Sequence, residues 1–136
     1  MAKNDDDQPE QLAPQYVFHT SAWIGYLRGD PPELEAMAAH GRVLTSDLCL
    51  VELATCSDQA RRLLKFIEYE HEVVPTTAEL ATAAAAMDHD LCVGERLTIA
   101  IAVQEGVAAV FLRGGRVKRL APEEARRFVA PADGLP

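Results

Sequence analysis

His19, Glu52 and Glu95 are a histidine and two carboxylates whose types could share one site if the fold brings together the loop after Phe18, the helix expected at Leu48–Cys56 and the start of the helix at Glu95. Two carboxylates plus waters can hold one Mg²⁺ weakly, since that ion wants oxygen ligands in near-octahedral geometry. Imidazole suits Zn²⁺, Mn²⁺, Fe²⁺ or Ni²⁺ better, so one His with two Glu has the composition of a facial triad or a catalytic zinc set. Water on such a metal would attack a scissile phosphate while the ion stabilised charge on the phosphoryl oxygens, with Glu52 and Glu95 as the catalytic acids. Thr20 and Ser21 would line that site and could orient the water. Without a metal the two acids would repel, and one would keep its proton.

Plainer roles compete at every position. His19 could hydrogen-bond Glu52 or Glu95 and fill a metal position itself. Glu52, between Val51 and Leu53, could be a solvated edge residue, and Glu95 a first-turn acid favoured by a helix dipole. Thr20 and Ser21 could be helix caps, and Asp47 reads best as one. Asp88 and Asp90 lie in the loop before Glu95, where either could supply a missing ligand. Arg113, Arg116, Lys118 and Arg119 form the one credible basic cluster. It could hold an RNA phosphate or an acidic partner, or simply guard a solvated edge strand.

The elements that must position these groups alternate. Strands are expected at Tyr16–Phe18, Arg42–Leu44, His71–Pro75, Val107–Leu112 and Val117–Leu120. Helices are expected at Ala22–Arg28, Glu33–His40, Leu48–Cys56, Asp58–Glu68, Ala78–Met87 and Glu95–Glu105, with a last one opening at Pro122. His89 to Gly94 breaks the pattern, and Arg113-Gly114-Gly115 is a turn. This rhythm predicts a three-layer α/β/α sandwich with a mostly parallel central sheet. In such sheets functional side chains collect beyond the carboxyl ends of the strands, where the loops after Phe18, Leu44 and Leu112 should meet the start of the helix at Glu95.

Composition bounds the rest. A length of 136 residues, 49% of them hydrophobic, suits one domain, expected over residues 15–130 between a disordered arm at 1–14 and a flexible tail at 131–136. The net charge of -8 argues against general nucleic-acid binding, yet residues 107–136 carry six Arg or Lys against three Asp or Glu, so a basic face is possible. Cys49, Cys56 and Cys92 have no zinc-knuckle spacing, and all three are expected as buried free thiols in a reducing cytoplasm. There is no apolar run long enough for a membrane span and no apolar leader, so a cytoplasmic protein is expected. Trp23 is expected in the core; Tyr26 could join a dimer or partner surface.

Three stretches carry a resemblance: YVFHTSAWIGYLRGD at 16–30, VLTSDLCLVELAT at 43–55 and LCVGERLTIAIAVQEGVAAVFLRGG at 91–115, joined by Pro-Thr-Thr at 75–77. Together they resemble the PIN-domain family, especially the small VapC-type toxins of toxin–antitoxin pairs, over nearly everything from Tyr16 to Leu120. The resemblance implies a PIN-like sandwich, Mg²⁺ or Mn²⁺ held by acids that activate water to cut RNA, a homodimer, and an antitoxin-like protein partner. The family's first Asp is His19 here, followed by matching Thr20 and Ser21. Its second-motif Glu is Glu52, its buried-helix Asp is Glu95, and its last Asp is Gly114, which has no ligand. This pattern implies a ribonuclease whose activity is weakened or lost, with RNA or protein binding remaining and no cofactor if the site is degenerate. An active metal-dependent endoribonuclease using His19, Glu52 and Glu95, and a non-enzymatic dimeric scaffold, are the alternatives.

Overall fold

The computed structural model describes residues 13–88 and 90–129. The arm expected at 1–14 falls outside them except for residues 13 and 14, and the tail at 131–136 falls outside them entirely. Strands β1 (Tyr16–Phe18), β2 (Leu44–Ser46), β3 (Glu72–Val74), β4 (Ala108–Arg113) and β5 (Arg116–Leu120) form one sheet in the order β3-β2-β1-β4-β5. β1, β2, β3 and β4 are parallel, and β5 returns antiparallel along the outside of β4. Gly114 and Gly115, at φ 57° and 76°, make the tight turn between them. Positive φ at both central residues gives a hairpin turn whose twist matches its strands, and glycine reaches it without a Cβ clash.

Helices cover both faces. On one side lie α1 (Thr20–Arg28), α2 (Glu33–Ala39), α3 (Asp47–Cys56), α4 (Asp58–Arg61) and α5 (Leu63–Glu70); on the other lie α6 (Ala78–Ala85), α7 (Val93–Glu105) and α8 (Pro122–Arg126). The strands feed the two layers alternately, as the pleat requires. Val17, Ala109 and Phe111 pack with α6 and α7, whereas Phe18 and Val110 pack with Trp23, Leu34, Leu53 and Ile67. α7 lies over the sheet with Leu97 through Ala102 all buried, so it has almost no polar face until its C-terminal end. Each fully buried Leu or Ile in these layers contributes about 2 kcal/mol of transfer free energy. Trp23 is 0% exposed, and its Nε1–H donates to the buried Thr45 hydroxyl at 2.8 Å, which satisfies both groups. This is the mostly parallel α/β/α layering expected from the sequence.

The boundaries differ where caps decide them. α1 starts at Thr20 rather than Ala22, because His19 is the N-cap: its Nδ1 accepts from the Ser21 amide at 3.1 Å. Thr20 and Ser21 are therefore helical residues and not caps. β2 lies two residues later than expected, and Ser46, not Asp47, caps α3 by accepting from the Cys49 amide. Asp47 instead takes the Thr76 amide at 3.0 Å and the Thr76 hydroxyl at 2.6 Å, tying α3 to the segment before α6. The helix expected over Asp58–Glu68 is split at Arg62 into α4 and α5. α7 begins at Val93, so Gly94 lies inside a helix it was expected to interrupt.

Of the cysteines, only Cys49 is buried; Cys56 ends α3 and Cys92 is the N-cap of α7, and both are exposed. That corrects the expectation of three buried thiols.

Candidate functional site

Beyond the carboxyl ends of β1, β2 and β4 the fold brings His19, Glu52 and Glu95 together. His19 follows the last residue of β1 and extends the sheet by donating its amide to the Val110 carbonyl at 3.0 Å. Its ring stands 5.3 Å from that of Phe111 on β4. Glu52 projects from the second turn of α3, and Glu95 from the first turn of α7, where the positive end of that helix favours an acid. Gly94 leaves room for the Glu52 carboxylate at the start of α7: a Cβ on it would lie 3.1 Å from both carboxylate oxygens of Glu52. Glycine was read from the sequence only as a breaker; its packing role was missed because no local pattern signals a carboxylate arriving from 42 positions away (94 − 52).

Each of the three side chains already has partners within the chain. Glu52 accepts from the Thr20 hydroxyl, which also contacts the Cys49 sulfur at 3.2 Å. Glu95 Oε1 accepts from the Cys92 amide at 3.0 Å, and Glu95 Oε2 accepts from the Arg113 guanidinium at 2.6 Å. The Glu95 side chain is 17% exposed and that of Arg113 53%, so the pair is half sheltered. His19 Nδ1 receives the Ser21 amide, so the proton of the neutral ring sits on Nε2. The Ser21 hydroxyl, 2.9 Å from Nδ1, accepts from the Leu112 amide at 2.9 Å and so splints α1 to β4.

The electrostatics follow from these contacts. Burial lowers the His19 pKa; the charges of Glu52 and Glu95 offset this in part, and Arg113 adds to the lowering. Burial alone would raise the Glu95 pKa, but the Cys92 amide and Arg113 outweigh it and hold the carboxyl below its usual range. Burial pushes the Cys49 thiol up to about 12, so this cysteine is no nucleophile. At neutral pH His19 is a neutral imidazole beside an ionised, guanidinium-paired Glu95. The proton-sharing expected of two unneutralised acids is not found at Glu95, because Arg113 neutralises it.

The other sequence candidates fall in several places. Asp90 is exposed in the loop before α7, and its amide donates to Asp88 at 3.0 Å. Gly114 is the exposed first residue of the hairpin turn and brings no side chain. The basic cluster does not form one patch. Arg113 pairs with Glu95, Arg116 and Lys118 share the α7 side of the sheet with it, and Arg119 points to the opposite side, 5.3 Å over the Tyr16 ring. Among the described residues no group of three or more His, Cys, Asp or Glu side chains is arranged to hold a metal ion. No helix among them is long and apolar enough to cross a membrane.

No protein-family model matches this chain, and no curated protein matches its sequence.

Proposed function

We propose that this chain is a PIN-like protein of the VapC kind, related to toxin–antitoxin systems, whose metal-dependent ribonuclease activity is weakened or lost and whose remaining role is to bind RNA or an antitoxin-like protein. The observation that carries this reading is the 2.6 Å contact between Arg113 and Glu95. The Arg113 guanidinium competes with a metal ion for the charge and one oxygen of Glu95, the Cys92 amide takes the other oxygen, and this guanidinium comes from the strand end where the family places its last acid. Glu52 is engaged by Thr20, His19 offers nitrogen where the family offers oxygen, and Gly114 offers nothing. These donors do not suit the oxygen-rich octahedron that Mg²⁺ demands. The bond between Thr20 and Glu52, the Glu95–Arg113 pair and the Ser21 splint instead serve to lock α1, α3, α7 and β4 together.

The test is cleavage of structured RNA with Mg²⁺ or Mn²⁺, comparing the wild-type chain with Glu52→Gln and Glu95→Gln. The proposal expects little or no cleavage, unchanged by either substitution. Robust cleavage that either substitution abolishes would overturn it in favour of an active endoribonuclease.

A further inference from the structure

A second feature lies at the opposite edge of the sheet, before the amino ends of β2 and β3. A cleft of about 520 Å³ opens between α1, α2 and α5. That volume is within the range that holds small ligands. Tyr26 and Phe66 border it as a stacked pair, centroids 5.7 Å apart and planes inclined by 14°. Tyr69, 77% exposed, adds a third ring at the rim.

An imidazole, two carboxylates and the Arg42 guanidinium are the charged or titratable groups of the cleft besides its tyrosines. His71 is 6% exposed, and its Nδ1 accepts the Val43 amide at 2.9 Å. The neutral ring therefore carries its proton on Nε2, which has no hydrogen-bond acceptor among the described residues; the ring itself packs edge-on against Trp23 and Phe66, centroids 5.2 and 5.1 Å away. A buried donor left unmatched costs about 1–3 kcal/mol, so an acceptor arriving from outside would recover stability. Burial keeps this imidazole neutral by lowering its pKa, against the opposing charge of Glu70. Glu35 and Glu70 line the cleft with no ion pair among the described residues, whereas Arg42 is engaged by Glu72 at 3.6 Å. Burial and the charge of Glu35 together hold the Tyr26 phenol above its usual pKa, which places that carboxylate close to the aromatic wall.

We propose that this cleft binds a small planar nitrogen heterocycle that carries an amino group and no phosphate, of the free-adenine class. The flat ring lies against the aromatic side chains. A ring nitrogen accepts from His71 Nε2–H, and the neighbouring amine donates to Glu35 or Glu70. The two carboxylates reject a phosphate, so a free base is preferred over the same base within a nucleotide or RNA strand. This site is separate from His19, Glu52 and Glu95 and stands whether or not the chain ever cut RNA.

The experiment is a titration of the full chain with adenine, purine and adenosine monophosphate, read by calorimetry and by the ¹⁵N resonance of the His71 imidazole. Adenine should bind with a Kd on the order of 0.1–1 mM, as its size allows, and should shift the His71 Nε2 signal. Purine, lacking the amine, should bind about fivefold or more weakly, and the monophosphate about tenfold or more weakly. In the Glu35→Gln, Glu70→Gln double variant, whose changed side chains are both on the surface, the penalty against the monophosphate should largely disappear. Absence of saturable adenine binding at 5–10 mM (roughly tenfold above the expected Kd) would overturn the proposal. So would adenine binding that leaves His71 unmoved, or monophosphate binding as tight as adenine in the wild-type chain.

Discussion

Replacing Arg113 with alanine removes the guanidinium that pairs with Glu95 at the candidate site. Its contact with Glu95 is 2.6 Å, but half of the Arg113 side chain is in water. The pair should therefore be worth less than a buried charge-assisted hydrogen bond and more than a fully exposed ion pair, about 1 kcal/mol. The loss is capped because Glu95 keeps the Cys92 amide. For a domain of this size that corresponds to a fall in Tm of roughly 3–6 °C. Two titrations should move in the same direction. The guanidinium favours the Glu95 carboxylate over its acid and disfavours the His19 imidazolium, so both pKa values should rise when it is gone. Carboxyl ¹³C and imidazole ¹⁵N titrations by NMR read these shifts, with Arg113→Lys restoring most of the His19 effect because it keeps the charge. If Arg113→Ala left the Tm and both titrations unchanged, Arg113 would not be neutralising the site, and the reasoning would fail.

Other outcomes follow from the same contacts. His19 and His71 both have folded pKa values below the ordinary 6.5, so the unfolded chain binds more protons than the folded one as pH drops through 6.5; stability should decline there, and again below about 4.5 as Glu95 and Asp47, both depressed, become protonated, which acid unfolding at stepped pH can follow. A thiol reagent should label Cys56 and Cys92 in the native protein and Cys49 only on unfolding, since Cys49 is buried with its thiol raised to about 12; rapid labelling of all three would contradict the packing of α3 against α1. Thr45→Val should cost about 1–3 kcal/mol in denaturant unfolding, because it strands the buried Trp23 Nε1–H, and a neutral result would mean that water or another acceptor reaches the indole.

Much of the architecture was legible because it is carried by composition along the chain. The apolar run from Leu97 to Val103 marks a well-buried segment and Val107 to Leu112 reads as an inner strand, and the alternation of strands with helices along the chain points to a mostly parallel sheet between two helical layers. Cap positions were less legible. Histidine is not a preferred N-cap, so His19 was weighed as a ligand or as a hydrogen-bond partner of Glu52 or Glu95, and Thr20 as a cap or a site-lining residue, whereas the imidazole takes the Ser21 amide and frees Thr20 to reach Glu52. His19, Glu52 and Glu95 were expected beyond the carboxyl ends of the strands of an α/β sheet, and in the structure the charges of Glu52 and Glu95 both act on the His19 ring. What each of them touches was not legible. Arg113 was grouped with Arg116, Lys118 and Arg119 by sequence proximity, but the alternation of β5 sends Arg119 to the other face and the register of β4 turns Arg113 back onto Glu95. Gly94 and the donor-bearing His71 depend on residues far away in the chain, and neither leaves a local signal.

Glu52 and Glu95 are engaged by partners of their own chain. Manganese binding measured by electron paramagnetic resonance of the free ion tests this engagement most directly. The wild-type chain should show no site tighter than about 1 mM, because Arg113 and the Cys92 amide already hold Glu95 and Thr20 holds one oxygen of Glu52. One equivalent of Mn²⁺ bound at micromolar free ion, and lost in Glu52→Gln or Glu95→Gln, would contradict it.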